Sequence, residues 1–146
     1  MDKLHYDIDI NASPEKVWQI LWNDDTYRKW AAAFYPGSFM ETDWKEGSKV
    51  LFLGPDRSGM VSKLNKKVDN EYVSFTHLGE LHKGVEDLTS DRVKAFAGLQ
   101  ENYTLKDMGG KTRLSIDMDA NEEFKKMFEG MWPKAIQIIK ELSEAN

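Results

Sequence analysis

The chain ends on a stretch that has to cover something. Phe124, Met127, Phe128, Met131, Ala135, Ile138, Ile139 and Leu142 recur three and four residues apart, which aligns them along one face of a helix. The sequence before it supplies the surface that such a face needs. From residue 38 onward the hydrophobic period is two, the period of strands with one buried side. Strands are expected at 38–44, 48–53, 59–67 and 71–78, broken at Glu46-Gly47, at "GPDRSG" and at Asp69-Asn70. Residues 99–119 read as two alternating runs joined around Gly109-Gly110, the clearest hairpin in the chain. Connections this short imply antiparallel pairing. The expectation is an α+β domain in which the last helix covers the concave face of the sheet. Pro133, with Gly130 nearby, should kink or briefly break that helix.

Before the strands come two short helices. Leu4, Tyr6, Ile8 and Ile10 alternate with His5, Asp7 and Asp9, a half-buried first strand. Ser13 is a fitting N-cap, and Pro14 suits the first helical position. "DDTYRKWAAAF" follows as a second helix, stopped by Pro36-Gly37. "LTSDRVKAFAG" suits a helical turn capped by Thr89 or Ser90.

Bulk properties narrow the function. At 146 residues, with no repeat, linker or low-complexity segment, the chain fits one domain spanning 1–146. Aromatic residues make up 12% of it, including five Trp, which argues against disorder. A net charge of −5 gives no electrostatic case for nucleic acid or an anionic membrane. The absence of cysteine removes disulfides and thiol catalysis, and suits a reducing, cytoplasmic setting. "MDKLHYDIDI" lacks the apolar core of a signal peptide, and no apolar run approaches a membrane span. No phosphate-binding glycine loop, dinucleotide fingerprint or G-x-S-x-G elbow occurs, so no cofactor is expected.

The order of elements and several local motifs resemble the SRPBCC (START-like) superfamily, and within it the bacterial branch related to the activator of the heat-shock protein 90 ATPase. The matching stretches are "SPEKVWQIL", "YRKWAAAF", "WKEGSKVLF", "EYVSFTH" and "ENYTLKDMGGKTRLSI", in that order across nearly the whole chain. The resemblance implies a helix-grip fold: a curved antiparallel sheet of about six or seven strands wrapped around a long C-terminal helix. It also implies a cavity between helix and sheet that in many members holds an apolar or aromatic ligand. Relatives include carriers, polyketide aromatase/cyclases and chaperone-regulating domains, and the fold alone does not choose among them.

If the sheet cups the helix, strand parity sorts side chains. Glu101, Tyr103 and Leu105 should share the inward face, as should Leu114, Ile116 and Met118, with Arg113, Ser115 and Asp117 outward. Val73, Phe75 and His77 form the more apolar alternation, against the rival Tyr72, Ser74, Thr76 and Leu78. Trp44, Leu51, Leu53, Met60, Phe128, Met131 and Trp132 are expected to supply the remaining wall, and Trp30 and Phe34 the mouth. A Phe/Met/Trp stripe at helical spacing is ordinary core material, but rings and thioethers also suit a loosely specified apolar ligand.

Glu101 and His77 are the sharper pair. A carboxylate inside an apolar cavity should have a raised pKa and seek a partner such as an imidazole. The pair has three readings: a structural hydrogen bond, a ligand-orienting pair, or an acid and base for an aldol-type cyclisation. No metal is expected, because His77 and His82 stand five residues apart, a spacing that fits neither strand nor helix ligation. From Gly79 on, a turn and an exposed edge should leave Glu80, His82, Glu86 and Asp87 as bystanders. His5 should be exposed on the first strand. The carboxylates of "DMDANEE" should favour the N-terminus of the last helix.

The leading expectation is a binding domain, non-enzymatic or at most weakly catalytic, for a small apolar or aromatic molecule. The alternatives are a chaperone-associated regulator of a heat-shock ATPase, tied to the stress response, and an aromatase/cyclase-like enzyme. The chain is expected to be a monomer or a weak homodimer.

Overall fold

The computed structural model describes residues 2–145. Strand β1 (Asp2–Ile10) leads into helices α1 (Pro14–Trp22) and α2 (Asp24–Ala31). Strands β2 (Phe39–Glu41), β3 (Lys49–Leu53), β4 (Gly59–Val68), β5 (Tyr72–His82) and β6 (Val85–Asp87) follow. After the short helix α3 (Asp91–Lys94), β7 (Gln100–Asp107) and β8 (Thr112–Ala120) form the hairpin, and α4 (Glu122–Glu144) closes the chain. The strands form one antiparallel sheet in the order β1-β8-β7-β5-β4-β3-β2, with β6 on the far end of β5. Eight strands replace the expected six or seven, β6 being the one that sequence reading passed over. Among the described residues no helix is long and apolar enough to cross a membrane.

Local chemistry explains the boundaries that sequence reading placed well. The Ser13 hydroxyl accepts from the Lys16 N–H at 3.2 Å, and Ser90 caps α3 through the Val93 N–H at 3.3 Å. Asn121 caps α4 through the Phe124 N–H at 2.9 Å, with Glu122 and Glu123 in the first turn where the helix dipole favours them. Helix α4 runs unbroken through Pro133. Pro133 removes the intrahelical donor of the Glu129 carbonyl, and both residues are exposed.

Two expectations about strands need correction. The strand expected at 38–44 stops at Glu41, and Trp44 adopts a φ of 60°, a left-handed conformation that cannot continue a strand. The turn expected at Gly79 does not occur, since β5 continues to His82. Val61 pairs with Gly79 but Ser62 pairs with His77, which leaves Leu78 as an extra residue in a β-bulge. A Cβ on Gly79 would lie 2.3 Å from the Asp87 carbonyl oxygen. This glycine therefore marks the close approach of β6 rather than a turn.

The main core lies between the sheet and α4. Ala135, Ile136 and Ile139 of α4 are buried with Ile10, Leu114 and Ile116 of the sheet, and with Val17 and Leu21 of α1. Val50 and Phe52 of β3 belong to this core, whereas Leu51 and Leu53 join Val61, Leu81 and Phe39 in a separate cluster. A third cluster of Val93, Phe96 and Leu99 packs with Met60 and Phe124 and closes one end of the molecule. It is stitched to the sheet by His77 N–H donating to the Leu99 carbonyl and Gly98 N–H donating to the His77 carbonyl, both at 2.8 Å. His5 lies between the carboxylates of Asp7 and Asp117, half-exposed as expected.

Two glycines give opposite expectations. Gly79→Ala should lower unfolding free energy by about 1–3 kcal/mol, because backbone has to move to admit the methyl group. Gly130→Ala should raise it by about 0.5–1 kcal/mol, since a Cβ there meets nothing within 4 Å and the helix gains propensity. Chemical denaturation of the two variants beside the parent protein checks both signs.

Candidate cavity and its polar chain

The bulged sheet and α4 do not close fully on each other, and the space between them is a cavity of about 660 Å³. Tyr27, Trp30, Phe34 and Tyr35, on α2 and the segment after it, form one wall. The sheet contributes Phe52, Met60, His77, Glu101, Tyr103 and Met118, and α4 contributes Phe124, Met127, Phe128 and Trp132. Asp56, Ser58 and Arg92 line it as well. The rings support one another by edge contacts. Phe34 meets Trp132 at 4.8 Å between centroids and 74° between planes, and Phe34 meets Phe128 at 6.2 Å and 81°.

Most of the wall expected from sequence is here: Trp30, Phe34, His77, Glu101, Tyr103, Met118, Phe128 and Trp132. Three residues are corrected. Trp44 packs 5.3 Å from Trp22, behind the wall. Phe75 is fully buried and meets Phe52 edge-on at 5.3 Å, so that Phe52 presents the surface. Met131 is half-buried outside the cavity wall, because the face of α4 that meets the space runs through Phe124, Met127, Phe128 and Trp132. Leu53 and Met60 line the cavity as expected, whereas Leu51 does not and packs against the Leu53–Val61–Leu81 cluster.

One chain of hydrogen bonds crosses the apolar surface. On β5 and β7, Phe75 pairs with Glu101, so His77, two residues further along β5, stands diagonal to Glu101 on the same face. His77 Nε2 lies 3.4 Å from Glu101 Oε1, and the Tyr103 hydroxyl donates to Glu101 Oε2 at 2.5 Å. His77 Nδ1 lies 2.7 Å from Ser62 Oγ. With Glu101 ionised, His77 donates through Nε2 and the Ser62 hydroxyl donates to Nδ1. Ser62 is fully buried and does not line the cavity, so its part is to hold the imidazole. Sequence reading missed Ser62 because two register shifts, at Asn65 of β4 and Leu78 of β5, decide which β4 residue faces His77. The buried indole N–H of Trp132 has no partner among the described residues, which adds one unmatched donor to a cavity-lining residue.

The second half of the 75–87 segment also differs from expectation. Glu80 is buried, and both its oxygens accept from Arg92 Nε, at 3.0 and 3.2 Å. His82 Nε2 lies 2.9 Å from the same carboxylate. Glu80 is thus no bystander. Glu86 pairs with Lys49, and Asp87 accepts from the Thr89 and Ser90 N–H groups, both local structural roles. Among the described residues no cluster of three or more His, Cys, Asp or Glu could hold a metal.

The phenols report the electrostatics. Burial first, then the charge of Glu101 and the hydrogen bond to it, hold Tyr103 well above the ordinary tyrosine value of 10.0. Tyr27 is raised by burial and then by Glu101. Both folded-state values lie above the unfolded value, so this stabilisation is fully present below pH 10 and is lost as pH rises through the folded values. An alkaline titration should show Tyr27 and Tyr103 ionising only alongside loss of the near-ultraviolet circular dichroism. Early ionisation of all tyrosines in the folded protein would contradict the buried placement.

Residues 11–144 match the family described as activator of Hsp90 ATPase homolog 1-like protein. A search of curated proteins finds no match. Among solved structures, the Aha1 dimer from Colwellia psychrerythraea is 20% identical at a TM-score of 0.74, covering 99% of this chain and 97% of that one. Protein MLL2253 from Mesorhizobium loti is 14% identical at a TM-score of 0.74, covering 97% and 96%. DynU16, from the dynemicin biosynthetic locus, is 13% identical at a TM-score of 0.70, covering 99% of this chain and 48% of that one. These likenesses establish the helix-grip fold, and with a family match across nearly its whole length, this chain belongs to the activator of Hsp90 ATPase homolog 1-like family.

Proposed function

We propose that the protein binds a small aromatic or apolar molecule in the cavity between sheet and α4, with Glu101 and His77 orienting it. The observation that carries this reading is a space of about 660 Å³, walled by rings, with the hydrogen-bonded carboxylate of Glu101 at its surface. That volume falls within the range of small-molecule sites, as does the combination of apolar wall and few polar groups. Glu101 accepts one bond at each oxygen from the protein, and a carboxylate has further acceptor sites for a ligand hydroxyl or N–H.

The competing roles rest on different support. The family description and the Aha1 dimer speak for a chaperone-associated interaction domain, and the dimer also for self-association. The cyclase-like reading draws on the His77–Glu101 pair and on the biosynthetic locus of DynU16. Neither has a feature as specific as the open aromatic cavity.

The test uses a matched pair of probes, naphthol and methoxynaphthalene, followed by quenching of tryptophan fluorescence. Trp30 and Trp132 line the cavity, so both probes should quench, and naphthol should bind about tenfold more tightly through its hydroxyl. Glu101→Gln should leave folding intact and remove that preference. Equal affinities in parent and variant would sink the orienting role. A protein that answers to neither probe, and that native mass spectrometry shows to carry nothing on purification, would sink the ligand reading in favour of protein interaction.

A further inference from the structure

The cavity has a second polar feature, distinct from the Glu101 chain. Arg92 is the one lysine or arginine that lines it among the described residues. Only Nε of its guanidinium is engaged, by Glu80, and its two terminal nitrogens have no hydrogen-bond partner among the described residues. Glu80 is nine-tenths buried, whereas the Arg92 side chain is 67% exposed. A buried anion therefore holds one edge of the guanidinium, and the remaining donors are left for something else. Docking in this way removes part of the entropy an arginine otherwise loses on binding, because the planar group is already oriented.

Resting on the cavity reading above, we propose that Arg92 is an anion-recognition point at the cavity, and that the ligand is an aromatic acid with a carboxylate or comparable anionic group seated on the terminal nitrogens of Arg92. The ring system occupies the space between Phe128, Trp132 and Met60, and the guanidinium provides paired donors matched to a planar acid group. Three carboxylates that line the same cavity oppose such a ligand, and each is engaged by protein donors, Glu101 by His77 and Tyr103. Asp119 accepts from Lys3 Nζ at 2.9 Å and from the Gln100 N–H at 3.1 Å, and Asp56 accepts from the Ser58 N–H at 3.0 Å. Glu80, at the back of the guanidinium, offsets part of the positive charge.

The experiment compares anilinonaphthalene sulfonate with its uncharged parent N-phenylnaphthylamine, by probe fluorescence, with each tested for displacement of the other. Both should bind the unmodified protein and compete. Arg92→Gln should weaken the sulfonate about tenfold and the neutral amine less than about twofold, while Arg92→Lys should fall between. In the unmodified protein, raising ionic strength from about 0.05 M to about 0.5 M should weaken the sulfonate and leave the amine unchanged. That second measurement needs no variant and stands if Arg92→Gln fails to fold. Equal weakening of both probes by Arg92→Gln would mark Arg92 as structural and overturn the proposal, as would no weakening, or a sulfonate affinity indifferent to salt. If the neutral amine binds and the sulfonate does not, the cavity reading stands and the Arg92 proposal falls. If neither binds, the cavity reading falls and takes this proposal with it.

Discussion

The aliphatic seam between the C-terminal half of α4 and the β1–β8 side of the sheet is what the rest of the molecule depends on. Ala135, Ile136 and Ile139 are buried there against residues such as Ile10, Leu114 and Ile116. Each large aliphatic residue removed from water in this seam contributes about 1.5–3 kcal/mol. A single hydrogen bond such as His77–Glu101 contributes about 1 kcal/mol net. The seam, and not the polar chain, therefore fixes where α4 lies. Held at that end, the helix presents Phe124, Met127, Phe128 and Trp132 to a space that small aliphatic contacts do not fill. One helix thus has two jobs, divided along its length: packing at one end and lining at the other.

The bulge at Leu78 is the second constraint. Without it, parity along β5 would run unbroken from Val73 to Leu81, and Glu80 would share the face of Tyr72 and Ser74. With it, His77 and Glu80 both come to the side of the sheet that carries Met60 and Phe52. The cavity has two polar features, of which the second follows from that inserted residue and the first depends also on the register shift between Leu64 and Lys66. One is the Ser62–His77–Glu101–Tyr103 chain, and the other is the Glu80–Arg92 pair. Glycine at position 79 makes the arrangement possible, since any side chain there would collide with the backbone of β6.

The two carboxylates illustrate different uses of burial. Glu101 accepts from one neutral phenol and one imidazole and lines the cavity, which leaves it able to take a further donor. Glu80 is enclosed and answered by a guanidinium and an imidazole, so its charge orders its neighbours. Burial first, and then the charge of Glu101, raises the phenols of Tyr27 and Tyr103 above the ordinary tyrosine value. An apolar surface with one available acceptor and one set of available donors is selective by position, because a ligand lacking either group leaves a polar atom unmatched.

Periodicity and end signals in the sequence determined the element order, the capping of α1 and α3, the acidic first turn of α4, the β7–β8 hairpin and the inward set Glu101, Tyr103 and Met118. These depend on neighbours a few residues apart, which a linear reading contains. It also placed Trp30, Phe34, Phe128 and Trp132 around the cavity, because rings on short helices and on the last helix have few other places to go. Only the tertiary structure decided the rest. Met127 rather than Met131 lines the space because the angle of α4 over the sheet chooses among adjacent helical positions. Phe52 displaces Leu51 because parity within a five-residue strand is ambiguous when both alternations are apolar. Ser62, Glu80 and Arg92 were out of reach for one reason: a bulge inserts a residue that changes no periodic signal, yet it moves everything beyond it to the other face.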